Sequence, residues 1–276
     1  MHENIAMAET VHGKLAGALD RVNSAARKAV LKSAFIQRAD RELLTDRGYL
    51  QEICKGWYYL TRPTDKAGDS TAWYTTFWDF VSVYLEERLG TDYCLSAGSS
   101  LDLHTGGNLI PNQVTALTAR GGTVVLRLPH NTSLLVYLDA KNLPREVETV
   151  RGVRAMPLAL ALCRVQPSFF EKQPLSAEIA LRAVKSVDDL VRRVLESESP
   201  ALAGRLAGAY QFLGDAERAQ QIVGAVMAAG IGCEPENPFA KPAPMLLPAT
   251  RLTSAYAGRI HGLFQNSREP VLAAAQ

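Results

Sequence analysis

The sequence predicts an α+β protein in three parts. Three observations lead there. In a short N-terminal segment, helical periodicity gives way to two β-prone runs. A central segment mixes one aromatic helix with several short strands. The C-terminal half reads as helices with clear caps. The parts fall at residues 1–65, 66–165 and 166–235. Residues 236–276 form a proline-rich connector (Pro238, Pro242, Pro244, Pro248) and a short terminal helix.

In the first part, Val11, Leu15, Leu19 and Val22 recur on one face of a helix that Thr10 can cap. Val30-Leu31-Lys32 is short and β-prone. Ser33 can cap a one-turn helix, Ala34 to Ile36, and the next helix runs from Gln37 to about Asp46. At 100° per residue, Ala39, Leu43 and Leu44 form its apolar back, while Arg38, Arg41 and Thr45 cluster opposite. Asp40 and Arg47 fit this division poorly, lying nearer the apolar side. Gly48 suits a left-handed C-cap. Leu50 to Cys54 and Trp57 to Leu60, joined by Lys55-Gly56, read as a hairpin. Helix, one-turn helix, three-turn helix and hairpin is the order of a winged helix-turn-helix. Two arginines on the outer face of its third helix can reach phosphates or a guanine edge, and Lys55 at the wing tip a further phosphate.

Charge supports that expectation locally. The chain has 276 residues, 47% of them hydrophobic and 21% charged, and its net charge is only +2. Between Val22 and Arg62, eight basic residues face four acidic ones, so the basic excess sits in this segment. The expected DNA-binding set is Lys32, Ser33, Gln37, Arg38, Arg41, Thr45 and Lys55, on double-stranded DNA.

The start, MHENIAMAET, lacks the apolar run of a signal peptide. The longest apolar stretch, Met156 to Cys163, is too short to span a bilayer. A cytoplasmic protein without a membrane partner is therefore expected. Cys54, Cys94, Cys163 and Cys233 are isolated and read as buried thiols.

In the middle, Asp69 or Ser70 can cap a helix to about Leu89 that carries Trp73, Phe77, Trp78, Phe80, Val81, Tyr84 and Leu85 as core. Tyr93 to Leu95 is a strand and Ser96 to Thr105 a helix. Further strands are expected at Val114–Leu117, Val124–Leu128 and Ser133–Tyr137. Asp139-Ala140-Lys141 has the D-x-K form of a nuclease metal site, with Asp102 upstream, and Ser100 with His104 is spaced as a nucleophile and base. Both patterns are short, and neither comes with supporting groups. No P-loop, zinc-protease or serine-hydrolase signature is present. No catalytic residue, metal or cofactor is assigned.

In the C-terminal half, Ser176 opens a helix to Ala183. Ser186 and Asp189 resemble a capping box ahead of a stripe of Leu190, Val191, Val194 and Leu195. Ser199-Pro200 opens the next helix and Gly214 closes it. Asp215 caps the last, closed by Gly230. The small residues of Leu206-Ala207-Gly208-Ala209-Tyr210 would let another helix approach, as packing layer or as docking surface.

Leu43-Leu44, Arg47-Gly48-Tyr49-Leu50 and Lys55-Gly56-Trp57-Tyr58 together resemble the winged-helix signature of AbiEi-type antitoxins, the DNA-binding halves of type IV toxin–antitoxin pairs. The run Ser70-Thr71-Ala72-Trp73-Tyr74, with Phe77-Trp78, Tyr84-Leu85, Leu95-Ser96, Leu101 and His104, resembles the non-catalytic N-terminal region of bacterial Fic-family proteins. Leu128-Pro129-His130 and Asn237-Pro238-Phe239 extend that likeness. The resemblance implies a DNA-binding transcriptional regulator that represses its own operon. Its partners would be a cognate toxin or a Fic catalytic domain, and the rest of the chain would dimerise or hold the partner. The alternative it implies is a regulatory or substrate-docking module of a Fic AMP transferase. The sequence departs from the enzymes in lacking the H-P-F-x-x-G-N-G-R loop, and His130-Asn131 has no cradling glycines. A truncated or split version, a cloned fragment or a stand-alone regulator is expected, without AMP transfer in these residues.

Overall fold

The computed structural model describes residues 2–63, 70–106 and 110–239, with side chains from residue 12. The chain is a mixed α+β protein with several small sheets. Helix α1 (His2–Ala25) leads into strand β1 (Val30–Lys32), a one-turn 3-10 helix (Ser33–Phe35) and helix α2 (Arg38–Asp46). Strands β2 (Leu50–Cys54) and β3 (Trp57–Leu60) follow. The three strands form an antiparallel sheet in the order β1-β3-β2. Gly48 after α2 and Gly56 in the hairpin turn have φ of 72° and 82°, where a side chain would be strained. Ala18, Val22, Leu31, Ile36, Leu44 and Leu50 close a small core.

Several local expectations shift here. Helix α1 begins at His2, so Thr10 lies inside it rather than capping it. Lys32, not Ser33, is the N-cap of the one-turn helix. Gln37 is the N-cap of α2, which starts at Arg38. The buried side of α2 centres on Asp40 and Leu44, whereas Ala39 is exposed. The helix is rotated because Asp40 is neutralised: Arg21 of α1 holds it through two hydrogen bonds, 2.7 and 2.8 Å.

Helix α3 (Thr71–Leu89) supplies the aromatic spine expected of it. Trp73 meets Tyr59 and Phe77 edge to face, with centroids 5.7 and 5.6 Å apart, and Trp57 meets Phe80 at 5.8 Å. The hairpin thus gives one face to α2 and the aromatic one to α3. Strands β4 (Tyr93–Leu95), β5 (Gln113–Thr118), β6 (Val124–Arg127) and β7 (Ser133–Leu138) form the second sheet, ordered β4-β5-β7-β6 with only β5 and β7 parallel. Helix α4 (Ala97–His104) is capped by Ser96, whose side chain accepts from the Ser99 amide. The buried Trp73 donates its Nε1 hydrogen to Thr132 Oγ1 at 3.1 Å, which ties α3 to the turn before β7. Strands β8 (Glu148–Val150) and β9 (Val153–Ala155) form a hairpin that the sequence pattern did not reveal.

The helical half is α5 (Leu158–Arg164), α6 (Ser168–Lys172), α7 (Pro174–Ala183), α8 (Val187–Ser197), α9 (Pro200–Phe212) and α10 (Ala216–Ala228). Helix α7 opens at Pro174, not Ser176, since proline is favoured where no amide donor is needed. Ser186, Ser199 and Asp215 cap α8, α9 and α10 as expected, though Ser186 accepts from the Asp188 amide. One hydrophobic cluster runs from Cys94, Ala97 and Leu101 to Leu206 and Ile222, across residue 165, where the sequence suggested a boundary. The small-residue face of α9 receives an extended segment instead of a helix: the Glu236 amide donates to Gly204 O at 3.1 Å. Within the loop from Arg62 to Gly68, residues 64–68 lie outside the described residues, as do Asp69, the prolines from 242 on and the expected terminal helix.

Candidate nucleic-acid interface

Four of the residues expected to bind DNA lie on or at the start of α2. Gln37 is exposed at its N-cap. Arg38 is exposed in the first turn, with its Nε hydrogen-bonded to Glu42 at 2.7 Å. Arg41, one turn on from Gln37, lies over the ring of Tyr58 on β3, 6.0 Å from its centroid. Thr45 is exposed a further turn along. Gln37, Arg41 and Thr45 therefore follow one stripe at i, i+4 and i+8. The Arg41–Tyr58 contact makes the stripe continuous with the hairpin. Tyr58 is a residue the sequence reading missed; its β-prone run gave it no distinction from its neighbours.

Lys55 is exposed in the hairpin turn beside Gly56, as expected. The Gly56 carbonyl accepts from the Ser33 amide at 2.8 Å, so the wing turn is fixed to the start of the one-turn helix. Ser33 therefore braces the wing. Lys32 points elsewhere. Its ammonium is paired with Glu87 of α3 and lies 5.8 Å from the Trp57 ring centroid.

That redirection extends to its neighbours. Arg27 pairs with Glu86 at 2.8 Å, and Lys28 Nζ lies 3.3 Å from Ser82 Oγ, both on α3. Three of the eight basic residues behind the local charge argument thus turn toward α3, Arg27 and Lys32 held by carboxylates and Lys28 touching only a hydroxyl. Of the other five, Arg38, Arg41 and Arg47 lie on α2 or at its C-cap and Lys55 in the hairpin turn, with Glu42 and Glu52 interspersed, while Arg62 follows β3. Hydrogen bonding to Arg38 holds the Glu42 carboxyl below its usual range.

The short catalytic patterns resolve into structural contacts. Ser100 Oγ lies 3.3 Å from Leu95 O and accepts from the Met156 amide at 3.0 Å. His104 Nε2 is 2.8 Å from Met156 O and 3.1 Å from Glu148 Oε1. The two side chains grip opposite ends of one backbone unit rather than each other. Asp139 accepts from the Asn142 amide and side chain at 3.1 and 2.8 Å, closing a turn. Burial raises the Asp102 carboxyl to about 6. Among the described residues, no group of three or more His, Cys, Asp or Glu side chains could hold a metal ion, and no helix is long and apolar enough to cross a membrane.

Of the four thiols only Cys94 is buried; Cys54, Cys163 and Cys233 are partly exposed. Desolvation pushes Cys54 up to about 11 and Cys94 and Cys163 up to about 12, so these three stay protonated at neutral pH.

No protein-family model matches the chain, and no curated protein matches it.

Proposed function

We propose that residues 2–63 form a winged helix-turn-helix that binds double-stranded DNA. In this reading the protein is a transcriptional regulator of the antitoxin type that represses its own operon. The observation that carries it is the stripe Gln37, Arg41 and Thr45 on α2, joined through Tyr58 to a hairpin tipped by Lys55. The element order and the β1-β3-β2 sheet agree with it, since in that arrangement the third helix enters the major groove and the hairpin flanks it. Arg38 and Arg41 supply phosphate or guanine contacts, Thr45 and Gln37 neutral hydrogen-bonding groups, and Lys55 a phosphate contact from the wing.

A gel shift with the full chain and the DNA upstream of its own gene tests this. Binding at low salt that falls steeply as salt rises, and that Arg38→Ala with Arg41→Ala weakens, is the expected result. Failure to bind at low salt, or binding that ignores the double substitution, overturns it. The other implied role, a docking module for a Fic enzyme, gains nothing from His130-Asn131. That pair forms a tight turn, with φ of 53° and 58°.

A further inference from the structure

Three tight turns share an unusual feature. In each, two consecutive residues have positive φ, the mirror-image turn geometry that favours Asn-Gly or Gly-Gly. The turn from α1 to β1 holds Lys28 and Ala29 at 54° and 60°, the turn before β7 holds His130 and Asn131, and the β8–β9 hairpin holds Arg151 and Gly152 at 50° and 79°. The first position is Lys28, His130 or Arg151, and for the lysine and the arginine positive φ is uncommon. All three turns contact α3, the first and third at Ser82 and the second at Tyr74.

Lys28 and Arg151 line one groove of about 700 Å³ together with Tyr74, Trp78 and Asp79. His130 packs against the groove's Tyr74, ring centroids 6.0 Å apart. Both cations are thus on the wall of one groove. Lys28 Nζ and Ser82 Oγ lie against Gly152, within 2.5 and 2.9 Å of where a methyl group on it would sit, so the lysine reaches the β8–β9 turn. Among the described residues neither Lys28 nor Arg151 has a carboxylate partner, whereas their neighbours Arg27 and Lys32 both do. Trp78, one helical turn on from Tyr74, is only 8% exposed and shows the groove little more than an edge. Tyr74 is 44% exposed, so its ring is accessible for stacking beside His130. Asp79 is available to accept hydrogen bonds from hydroxyls or an exocyclic amine.

We infer that this groove is a binding site for a phosphorylated aromatic ligand of the nucleoside monophosphate class. Lys28 and Arg151 take the phosphate, Tyr74 the base, and Asp79 the ribose or base edge. The volume falls in the range of small-ligand sites, about 300–1,000 Å³. The inference is independent of DNA binding, because it uses none of the residues on α2.

The test is calorimetric titration of the full chain with the four ribonucleoside 5′-monophosphates, the matching nucleosides and inorganic phosphate. The informative variants are Arg151→Asn and Lys28→Asn, which install a residue the turn prefers. Each should leave the melting temperature equal or higher while weakening nucleotide binding about tenfold or more. Tyr74→Ala should weaken the monophosphates and leave inorganic phosphate unchanged. The assignment is overturned if no monophosphate binds, if the nucleosides or inorganic phosphate bind as tightly as the nucleotides, or if the asparagine variants bind as the wild type does.

Discussion

Arg21 of α1 grips Asp40 of α2 with two prongs, Nε to Oδ2 at 2.8 Å and Nη2 to Oδ1 at 2.7 Å. The contact joins residues nineteen apart in sequence and sets which side of α2 faces inward. Because Asp40 and Leu44 are held together on the inner side, Arg41 is delivered to Tyr58 and Thr45 to solvent. An acidic residue on the inner side of a helix thus orients the basic residues on its outer side.

This pair makes the N-terminal unit acid-sensitive. The hydrogen bond from Arg21 lowers the Asp40 carboxyl below its ordinary value, and that effect outweighs the opposing one of burial. A carboxyl depressed in the folded state stabilises the fold above its unfolded value of about 4, and the contribution is lost as pH falls through the lower folded value. Asp40→Asn should therefore melt below the wild type at neutral pH, with the gap closing in acid. Melting temperatures of both proteins across that range measure it. A gap that stays constant with pH would show that packing, not the carboxylate, is what Asp40 contributes. Arg21 is more than half exposed, so added salt should shrink the gap as well.

A second prediction concerns α9. A Cβ on Gly208 would lie 2.0 Å from Glu236 O and 2.3 Å from its carbonyl carbon, contacts with backbone that no rotamer change can relieve. The segment must lift away or α9 must shift. Gly208→Ala should cost about 1–3 kcal/mol, despite alanine being the better helix former. Lifting would also strip Phe239 from Phe170 and Phe212, whose ring centroids lie 5.7 and 5.1 Å from it. Denaturant unfolding gives the cost, and limited proteolysis around residues 231–239 reports the lifting. Gly224→Ala, on the neighbouring α10 with nothing within 4 Å of the added methyl, is the control and should be neutral or stabilising.

The contrast between these sites explains what the sequence made legible. Where structure depends on neighbours in the chain it could be read in advance. The hairpin of Leu50–Cys54 and Trp57–Leu60, the α3 limits and the caps Ser199 and Asp215 all rest on local turn, cap and periodicity chemistry. Features that depend on distant partners were hidden. Asp40 looked misplaced because Arg21 lies in another helix. Gly208 looked ready for a helix because nothing nearby in sequence names Glu236 as the group that fills the space. Lys32 counted towards a basic surface until Glu87 claimed it. Strands β8 and β9 have three residues each, too few for alternation to register.

The last prediction uses that division of the basic residues to probe the proposed DNA face. Counterion release makes the salt dependence of binding a count of phosphate contacts, with a slope of about 0.9 per contact on duplex DNA. Arg38, Arg41 and Lys55 are exposed or lie along the proposed face, whereas Lys32 is held between Glu87 and Trp57. Arg38→Ala, Arg41→Ala and Lys55→Ala should each weaken binding, and each that removes a phosphate contact should flatten the salt slope by about one. Lys32→Ala should leave the slope unchanged and instead lower the melting temperature, since it strips an ion pair and a cation–π contact from the junction with α3. If Lys32→Ala flattens the slope as much as Arg41→Ala does, the lysine leaves Glu87 for DNA and the boundary drawn between docking and binding cations is wrong. Arg41→Lys separates the roles of charge and shape. It keeps the charge but loses the planar group that lies over Tyr58, so a wild-type slope with weaker affinity would mark Tyr58 as the residue that positions Arg41.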